Sequence, residues 1–117
     1  MDEKICVQKT LKIIGSKWTV MILRELCHGT KRFGELTQNL PTISSKTLSI
    51  RLKELEQNQI VYRQVYPTIP PKVEYSLTKK GASLRTIIQS MHHWGEIYSK
   101  ESAQSTMDVA TNNSLSL

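Results

Sequence analysis

The chain has 117 residues, the length of one compact domain, and a formal net charge of +6 from 16 Lys/Arg and 10 Asp/Glu. No run of about 18 apolar residues is present, and the start MDEKIC lacks a basic segment followed by an apolar stretch, so neither a membrane span nor a signal peptide is predicted. Two cysteines are too few for a disulfide scaffold, so we expect reduced thiols and a cytoplasmic protein.

Apolar side chains at helical spacing predict helices in the first forty residues. A helix over residues 5–14 carries one apolar stripe, formed by Val7, Leu11 and Ile14. A second helix is predicted to begin after Ser16, a plausible N-cap, and to end at Gly29. A third, over residues 32–40, ends before Pro41, because proline disfavours helical geometry in the residue that precedes it.

The fourth helix, over residues 44–57, is predicted to bury leucines and to expose a polar, basic side. Ser44 is its N-cap, and its buried face is formed by Leu48, Leu52 and Leu55. Lysine can hydrogen-bond guanine or phosphate, serine can bond to either, and isoleucine can touch a thymine methyl. We therefore predict that the outward side chains read DNA bases: Ser45, Lys46, Ser49, Ile50 and Lys53. Ser44, at the positively polarised helix N-terminus, and Arg51 are predicted to contact phosphates.

Beyond this helix the apolar spacing becomes two, which predicts two antiparallel strands, over residues 61–66 and 72–77. The connection, residues 67–71, contains three prolines and should project from the hairpin as a wing. Arg63 and Lys72 are predicted to contact DNA phosphates, with the tip near the backbone or the minor groove. We also expect the hairpin to pack on the core through its apolar residues, which are Val61, Val65, Val73 and Leu77.

Thr78 is predicted to cap one long final helix with a wide apolar stripe, formed by Leu84, Ile87, Ile88, Met91, Trp94 and Tyr98. This is more apolar surface than so small a domain covers easily, so we expect a second subunit to bury it. The first-helix stripe of Val7, Leu11 and Ile14 should join the same interface. The alternative is that Met91 and Trp94 complete the core of a monomer. Residues 100–117 are polar and aperiodic, which predicts a disordered tail after a domain of residues 1–99.

The basic excess is concentrated in the middle of the chain. Residues 30–85 carry ten Lys/Arg against four Asp/Glu, which equals the charge of +6 on the whole chain. Such an asymmetry favours a polyanionic partner, and DNA, RNA and anionic lipid all fit it. The order helix, helix, turn, helix, hairpin, helix is that of a winged helix-turn-helix, mainly α with a small β-hairpin wing. Winged helices also serve as protein–protein modules, but the charge distribution favours DNA.

Four successive segments resemble the motifs of the HxlR family of bacterial transcription regulators, which are relatives of MarR proteins. The segments are IGSKWTVMILREL, KRFGEL, ISSKTLSIRLKELEQNQIV and YPTIPPKVEYSLTKKG, and the resemblance covers about residues 6–94. It implies a winged-helix homodimer that binds an inverted-repeat operator in double-stranded DNA. Its recognition helix would be residues 44–57, and its first and last helices would form the dimer interface. The operator sequence and any small-molecule effector are not indicated.

Cys6 is a candidate sensor of oxidants or electrophiles. It lies just before or in the first turn of the first helix, near Lys4 and Lys9, and both features favour a reactive thiolate. In this position it resembles the thiol that senses quinones, aldehydes or oxidants in some HxlR-family members, with Val7 where many relatives have proline. The alternative is that Cys6 is a small apolar side chain without a sensing role. Cys27 is interpreted as structural.

No catalytic site, metal site or cofactor site is predicted. His92 and His93 are adjacent on a helix, so their side chains diverge by about 100° and cannot chelate one ion. The sequence has no phosphate loop, no His-Glu-x-x-His and no nucleophile elbow, so we predict that the protein is not an enzyme. Neither a cofactor nor membrane association is expected.

Overall fold

A computed structural model describes the backbone of residues 2–104 and the side chains of residues 2–99. Most of the predicted disordered tail, residues 105–117, therefore lies outside the described residues. The described residues divide into two compact units, the first ending at Arg85 and the second beginning at Thr86. Among the described residues, no helix has both the length and the apolar character needed to cross a lipid bilayer.

The first unit contains helices and one small antiparallel sheet, in the order of a winged helix. Its elements are α1 (Glu3–Ile14), α2 (Lys17–Cys27), β1 (Lys31–Arg32), α3 (Phe33–Asn39), α4 (Ser45–Gln57), β2 (Val61–Tyr66), β3 (Lys72–Leu77) and α5 (Lys79–Ala82). The strand order in the sheet is β1-β3-β2, so the hairpin β2–β3 is extended on one side by β1. The predicted fold class, mainly α with a β-hairpin wing, is confirmed.

The core of this unit is formed by α2, α3, α4 and the start of β2. The predicted inward face of α4 is buried, since Leu48, Leu52 and Leu55 are all 2% exposed or less. They share the interior with residues of the other elements, which are Ile22, Leu23, Leu26, Leu36, Ile60 and Val61. Ser44 caps α4 as predicted, because its Oγ accepts the backbone N–H of Thr47 at 3.1 Å. The orientation of α4 therefore follows from its leucine spacing.

The hairpin packs on the core less completely than its apolar pattern predicts. Val61 is buried and Val73 and Leu77 are half-buried, but Val65 is 44% exposed. Val65 pairs with Val73 close to the tip of the hairpin, beyond the part of β2 that covers the core. The outer half of the wing is therefore held mainly by its own backbone pairing.

Strand β1 is absent from the sequence prediction, which starts a helix at Arg32. Lys31 and Arg32 instead pair with Tyr75 and Glu74 of β3. The Arg32 N–H donates to Glu35 Oε1 at 2.9 Å, so α3 begins one residue later, at Phe33. A strand of two residues cannot display an alternation of period two, which is why the spacing does not reveal it.

The prediction of one final helix capped by Thr78 is wrong at the start of that helix. Thr78 caps only the short helix α5, and a separate helix, α6, begins at Arg85. The Thr78 Oγ1 accepts the Gly81 N–H at 3.0 Å and lies 2.6 Å from the Gln59 carbonyl oxygen, to which it can donate. Gly81 is buried against Ile60 so closely that a Cβ would collide with the Ile60 carbonyl. These contacts fix α5 beside the α4–β2 connection.

The second unit contains most of α6 (Arg85–Gln104). Ile87, Met91, Trp94 and Tyr98 are 41%, 48%, 66% and 47% exposed, and the Trp94 and Tyr98 ring centroids lie 4.8 Å apart. Ile88 differs from its predicted place in this stripe, since it is only 4% exposed. It lies about 100° around the helix from Ile87, and hence on another face. Leu84, which precedes α6, is half-buried.

Candidate nucleic-acid interface

Helices α3 and α4, with the turn between them, form the helix-turn-helix. The Ile43 N–H donates to the Leu40 carbonyl at 3.2 Å, and both side chains are buried in the turn. Asn39 Nδ2 donates to Glu25 Oε1 at 2.7 Å, which joins the end of α3 to α2. The turn is therefore anchored on both sides, and it holds the N-terminus of α4 at the surface.

The outward face of α4 presents all five residues predicted to read bases. Ser45, Lys46, Ser49, Ile50 and Lys53 are exposed, while the leucines of the opposite face are buried. The face combines two ammonium groups, two hydroxyls and one apolar side chain, Ile50, which is 46% exposed. Hydrogen-bonding groups and a methyl-bearing side chain on one helix face suit the edges of base pairs in a major groove.

At the N-terminus of α4, the hydroxyl of Ser44, a predicted phosphate contact, takes part in the helix cap. The Ser44 hydroxyl accepts from the Thr47 N–H and donates to Thr47 Oγ1 at 2.9 Å, so its side chain is already engaged in the cap. The first backbone N–H groups of a helix have no intrahelical partner. An anion at this end would therefore bind the backbone N–H groups of the first turn.

Arg51, also predicted to contact phosphate, lies half-buried along α4. Its Nη1 is 3.2 Å from Glu54 Oε2, and the two side chains are 34% and 50% exposed. The Arg51 Nε is buried and makes no hydrogen bond. To bind a phosphate, the Arg51 guanidinium would have to leave the Glu54 carboxylate or bind both anions at once. The cost is small, because ion pairs near the surface contribute little free energy.

The hairpin brings a further predicted residue next to α4. A depression of ≈ 280 Å³ is lined by Ser49, Leu52, Lys53, Glu56, Arg63 and Tyr75. The structure thus brings together two base-reading candidates of α4, Ser49 and Lys53, and one phosphate-binding candidate of β2, Arg63. The Glu56 carboxylate at the rim reduces the local positive charge.

Lys72, the other predicted phosphate contact of the wing, is held by two neighbours. Its Nζ lies 3.3 Å from Glu74 Oε2 and 5.0 Å from the centroid of the Tyr66 ring. Sequence reasoning missed Glu74 and Tyr66 as partners of Lys72. Lys72 and Glu74 share a face by strand alternation, and Tyr66 pairs with Lys72 in the hairpin register. The spacing of two residues between Lys72 and Glu74 could have indicated their contact. The contact with Tyr66 could be found only by knowing how β2 and β3 pair.

Helix α1 carries Cys6 and an apolar surface. None of its residues is buried, and Ile5, Val7 and Leu11 are 43%, 53% and 55% exposed. Ile14, predicted for the same stripe, is half-buried. Cys6 is exposed, and its N–H donates to the Asp2 carbonyl at 3.1 Å, which places it in the first turns of α1. The Asp2 carboxylate caps the helix by accepting the Lys4 N–H at 3.2 Å.

The remaining titratable groups form no metal site within the part of the chain that the structure describes: no three His, Cys, Asp or Glu side chains are grouped to hold an ion. His92 Nε2 lies 3.5 Å from Glu96 Oε2, an exposed pair along α6. Cys27 is half-buried, and its carbonyl accepts from Arg85 Nη2 at 3.4 Å.

Comparison with known proteins gives a consistent set of relatives. YodB, an HTH-type transcriptional regulator of Bacillus subtilis, is 46% identical over 98 residues, which cover 82% of this chain and 88% of YodB. The redox regulator HypR in its reduced form superposes with a TM-score of 0.78 at 40% identity, covering 85% of this chain and 98% of HypR. A MarR-family regulator from Enterococcus faecalis V583 gives a TM-score of 0.76 at 36% identity, covering 90% and 96%. YodB has also been solved after diamide treatment and with a bound quinone.

The family model agrees with the geometry. A model described as HxlR-like helix-turn-helix matches residues 13–103, which include the helix-turn-helix, the wing and nearly all of α6. With its buried leucine face, its exposed polar face and its hairpin wing, the chain therefore belongs to the HxlR-like helix-turn-helix family of transcriptional regulators.

Proposed function

We propose that this protein regulates transcription as a homodimer that binds an inverted-repeat operator in double-stranded DNA. The observation that carries the proposal is the outward face of α4, where Ser45, Lys46, Ser49, Ile50 and Lys53 are exposed above a buried leucine face. In this arrangement α4 lies in the major groove and Arg63 and Lys72 bind flanking phosphates. We further infer that residues 1–99 form the functional domain, that the protein acts in the cytoplasm and that it has no catalytic activity.

The exposed apolar surfaces of α1 and α6 support the dimer. Helix α1 buries none of its residues, and α6 exposes Trp94 at 66% together with Met91 at 48%. A two-fold interface uses the same patch on both subunits, so an exposed side chain of this patch becomes buried in each of the two subunits. A two-fold dimer then presents two α4 helices to half-sites about one DNA turn apart, roughly 34–36 Å.

Salt-dependent binding tests the division between base and phosphate contacts. Lys46→Ala is expected to cost about 1–3 kcal/mol on the selected operator and to relax sequence preference at one position. Lys72→Ala is expected to weaken binding to all sequences alike and to reduce the slope of log K against log salt by about one per lost phosphate contact. Lys12→Ala is a matched control, because it removes one exposed charge that is not among the predicted DNA contacts.

Fluorescence anisotropy with operator and scrambled duplexes, over a series of salt concentrations, measures these effects. Identical behaviour of Lys46→Ala and Lys72→Ala would contradict the division. A wild-type protein that binds no duplex even at low salt would instead support a protein–protein module.

We also propose that Cys6 senses oxidants or electrophiles. Its exposure in the first turns of α1 supports this role, as does the likeness to YodB and HypR. Oxidation or alkylation of the thiol would place a larger or more polar group beside Ile5 and Val7, on a helix whose apolar side chains are exposed.

Diamide or a quinone, added to the protein–operator complex, tests this role. The wild-type protein is expected to release DNA, while Cys6→Ser binds equally well before and after treatment. Cys27→Ser is the matched control, since it removes the second thiol of the chain. Inactivation of Cys6→Ser to the same extent as wild type would remove Cys6 from the mechanism.

A further inference from the structure

The tip of the hairpin carries an isoleucine that the rest of the protein leaves uncovered. Ile69 is 101% exposed, whereas the other exposed large apolar side chains among residues 2–99 range from 38% to 66%. Its entire apolar surface is therefore available to a partner, and covering it is favourable in proportion to the area removed from water.

The tip holds Ile69 outward in an ordered turn. The Thr68 N–H donates to the Tyr66 carbonyl at 2.8 Å, and Thr68 Oγ1 donates to the Pro70 carbonyl at 2.8 Å. Three of the five residues at positions 67–71 are prolines, whose rings fix φ. A loop ordered in this way loses little conformational entropy when its tip meets a ligand.

The chemistry of the tip suits an apolar contact better than a phosphate contact. Residues 67–71 contain no Lys or Arg, and prolines have no backbone N–H to offer an anion. The next residue in the chain, Lys72, is directed to Glu74 and to the Tyr66 ring. The nearest positive charge therefore lies in strand β3, behind the tip, and the most projecting side chain of the tip is apolar.

We propose, on the basis of the DNA-binding function above, that Ile69 enters the minor groove beside the site read by α4 and wedges between two base pairs. Apolar side chains, isoleucine and proline among them, partly unstack base steps from the minor groove and kink the duplex toward the major groove. The step that opens most readily is a pyrimidine–purine step. Ile69 is then a specificity-determining residue, because it favours sequences that deform easily at a position without hydrogen-bonded readout.

The test uses the duplex that the wild-type protein selects from a random-sequence pool. The duplex carries a donor and an acceptor dye at its ends, and 2-aminopurine replaces adenine at the flanking pyrimidine–purine steps. Wild type is expected to raise energy transfer between the ends and the fluorescence of the 2-aminopurine at one step in each half-site. Ile69→Ser is expected to abolish both signals and to weaken binding of the dimer roughly a hundredfold, which is about tenfold for each of its two wings from the loss of about two methylene equivalents of apolar contact.

Two variants serve as controls. Ile69→Leu keeps an apolar side chain of equal size and should retain both signals. Val65→Thr replaces an exposed apolar residue of β2, outside the connection of residues 67–71, and should bend DNA as wild type does. A straight wild-type complex, or unchanged signals with Ile69→Ser, overturns the wedge and leaves the proposed function intact. Failure of the wild-type protein to select any duplex overturns both.

Discussion

Truncating Trp94 is expected to separate the stability of the chain from its ability to dimerise. The Trp94 side chain is 66% exposed, and its one described ring contact is with Tyr98 of the same helix, at 4.8 Å between centroids. A tryptophan can bury up to about 250 Å², so about two-thirds of that, roughly 160 Å², is available to a partner. At about 25 cal/mol per Å² this corresponds to about 4 kcal/mol per subunit.

Trp94→Ala should therefore raise the dissociation constant of the dimer at least a hundredfold, which is about 2.7 kcal/mol. The free energy of unfolding of the isolated chain should change by less than about 1 kcal/mol, the size of the lost aromatic pair. Sedimentation equilibrium measures the association, and circular dichroism with urea measures the helix content and the stability.

His92→Ala is the matched control, because His92 lies on the opposite side of α6 in an exposed pair with Glu96. It should dimerise as wild type does. Equal loss of association in Trp94→Ala and His92→Ala would show that general weakening of α6 is the cause. A Trp94→Ala dimer as tight as wild type would refute the assignment of this face to the interface.

Two further substitutions test how α5 is fixed beside the α4–β2 connection. Gly81→Ala is expected to lower the free energy of unfolding by about 2–3 kcal/mol, because the new Cβ would collide with the backbone carbonyl of Ile60. Urea denaturation at fixed protein concentration measures it, and wild-type stability would contradict so close an approach. Thr78→Ala removes a cap to the Gly81 N–H and a donor to the Gln59 carbonyl, each worth about 1 kcal/mol, so about 2 kcal/mol should be lost. Thr78→Ser retains the hydroxyl and should recover most of this loss; equal losses in the two variants would exclude the hydroxyl as the cause.

The orientation of α4 was predictable because one local rule decides it. Leucines at Leu48, Leu52 and Leu55 require a buried side, and the rotation of the helix then sends Lys46 and Lys53 outward. The structure confirms both faces of α4, although the prediction used only the local spacing of residues. The DNA contacts themselves remain predictions, since they depend on a partner.

Two of the features that the sequence prediction missed depend on long-range contacts. Lys31 and Arg32 become a strand because β3 lies beside them, and no local pattern encodes that pairing. The interruption between α5 and α6 accompanies the close approach of Gly81 to Ile60, residues that are 21 positions apart. Ile88 looks like part of a stripe in a hydrophobicity count, yet its angle around the helix differs from that of Ile87 by about 100°.

The position of Cys6 suggests how the proposed modification of its thiol would alter DNA binding by residues distant in the sequence. Short helices gain most of their stability from packing of an apolar face, and α1, with 12 residues, buries none of its side chains within the chain. In the proposed dimer, α1 would therefore depend on the partner subunit for much of its order. Modification of Cys6 would weaken that packing rather than the core, which lies in other elements. Because the separation of the two α4 helices is set by how the subunits are held together, a loss of packing at α1 would reach the operator without any change in the residues of α4.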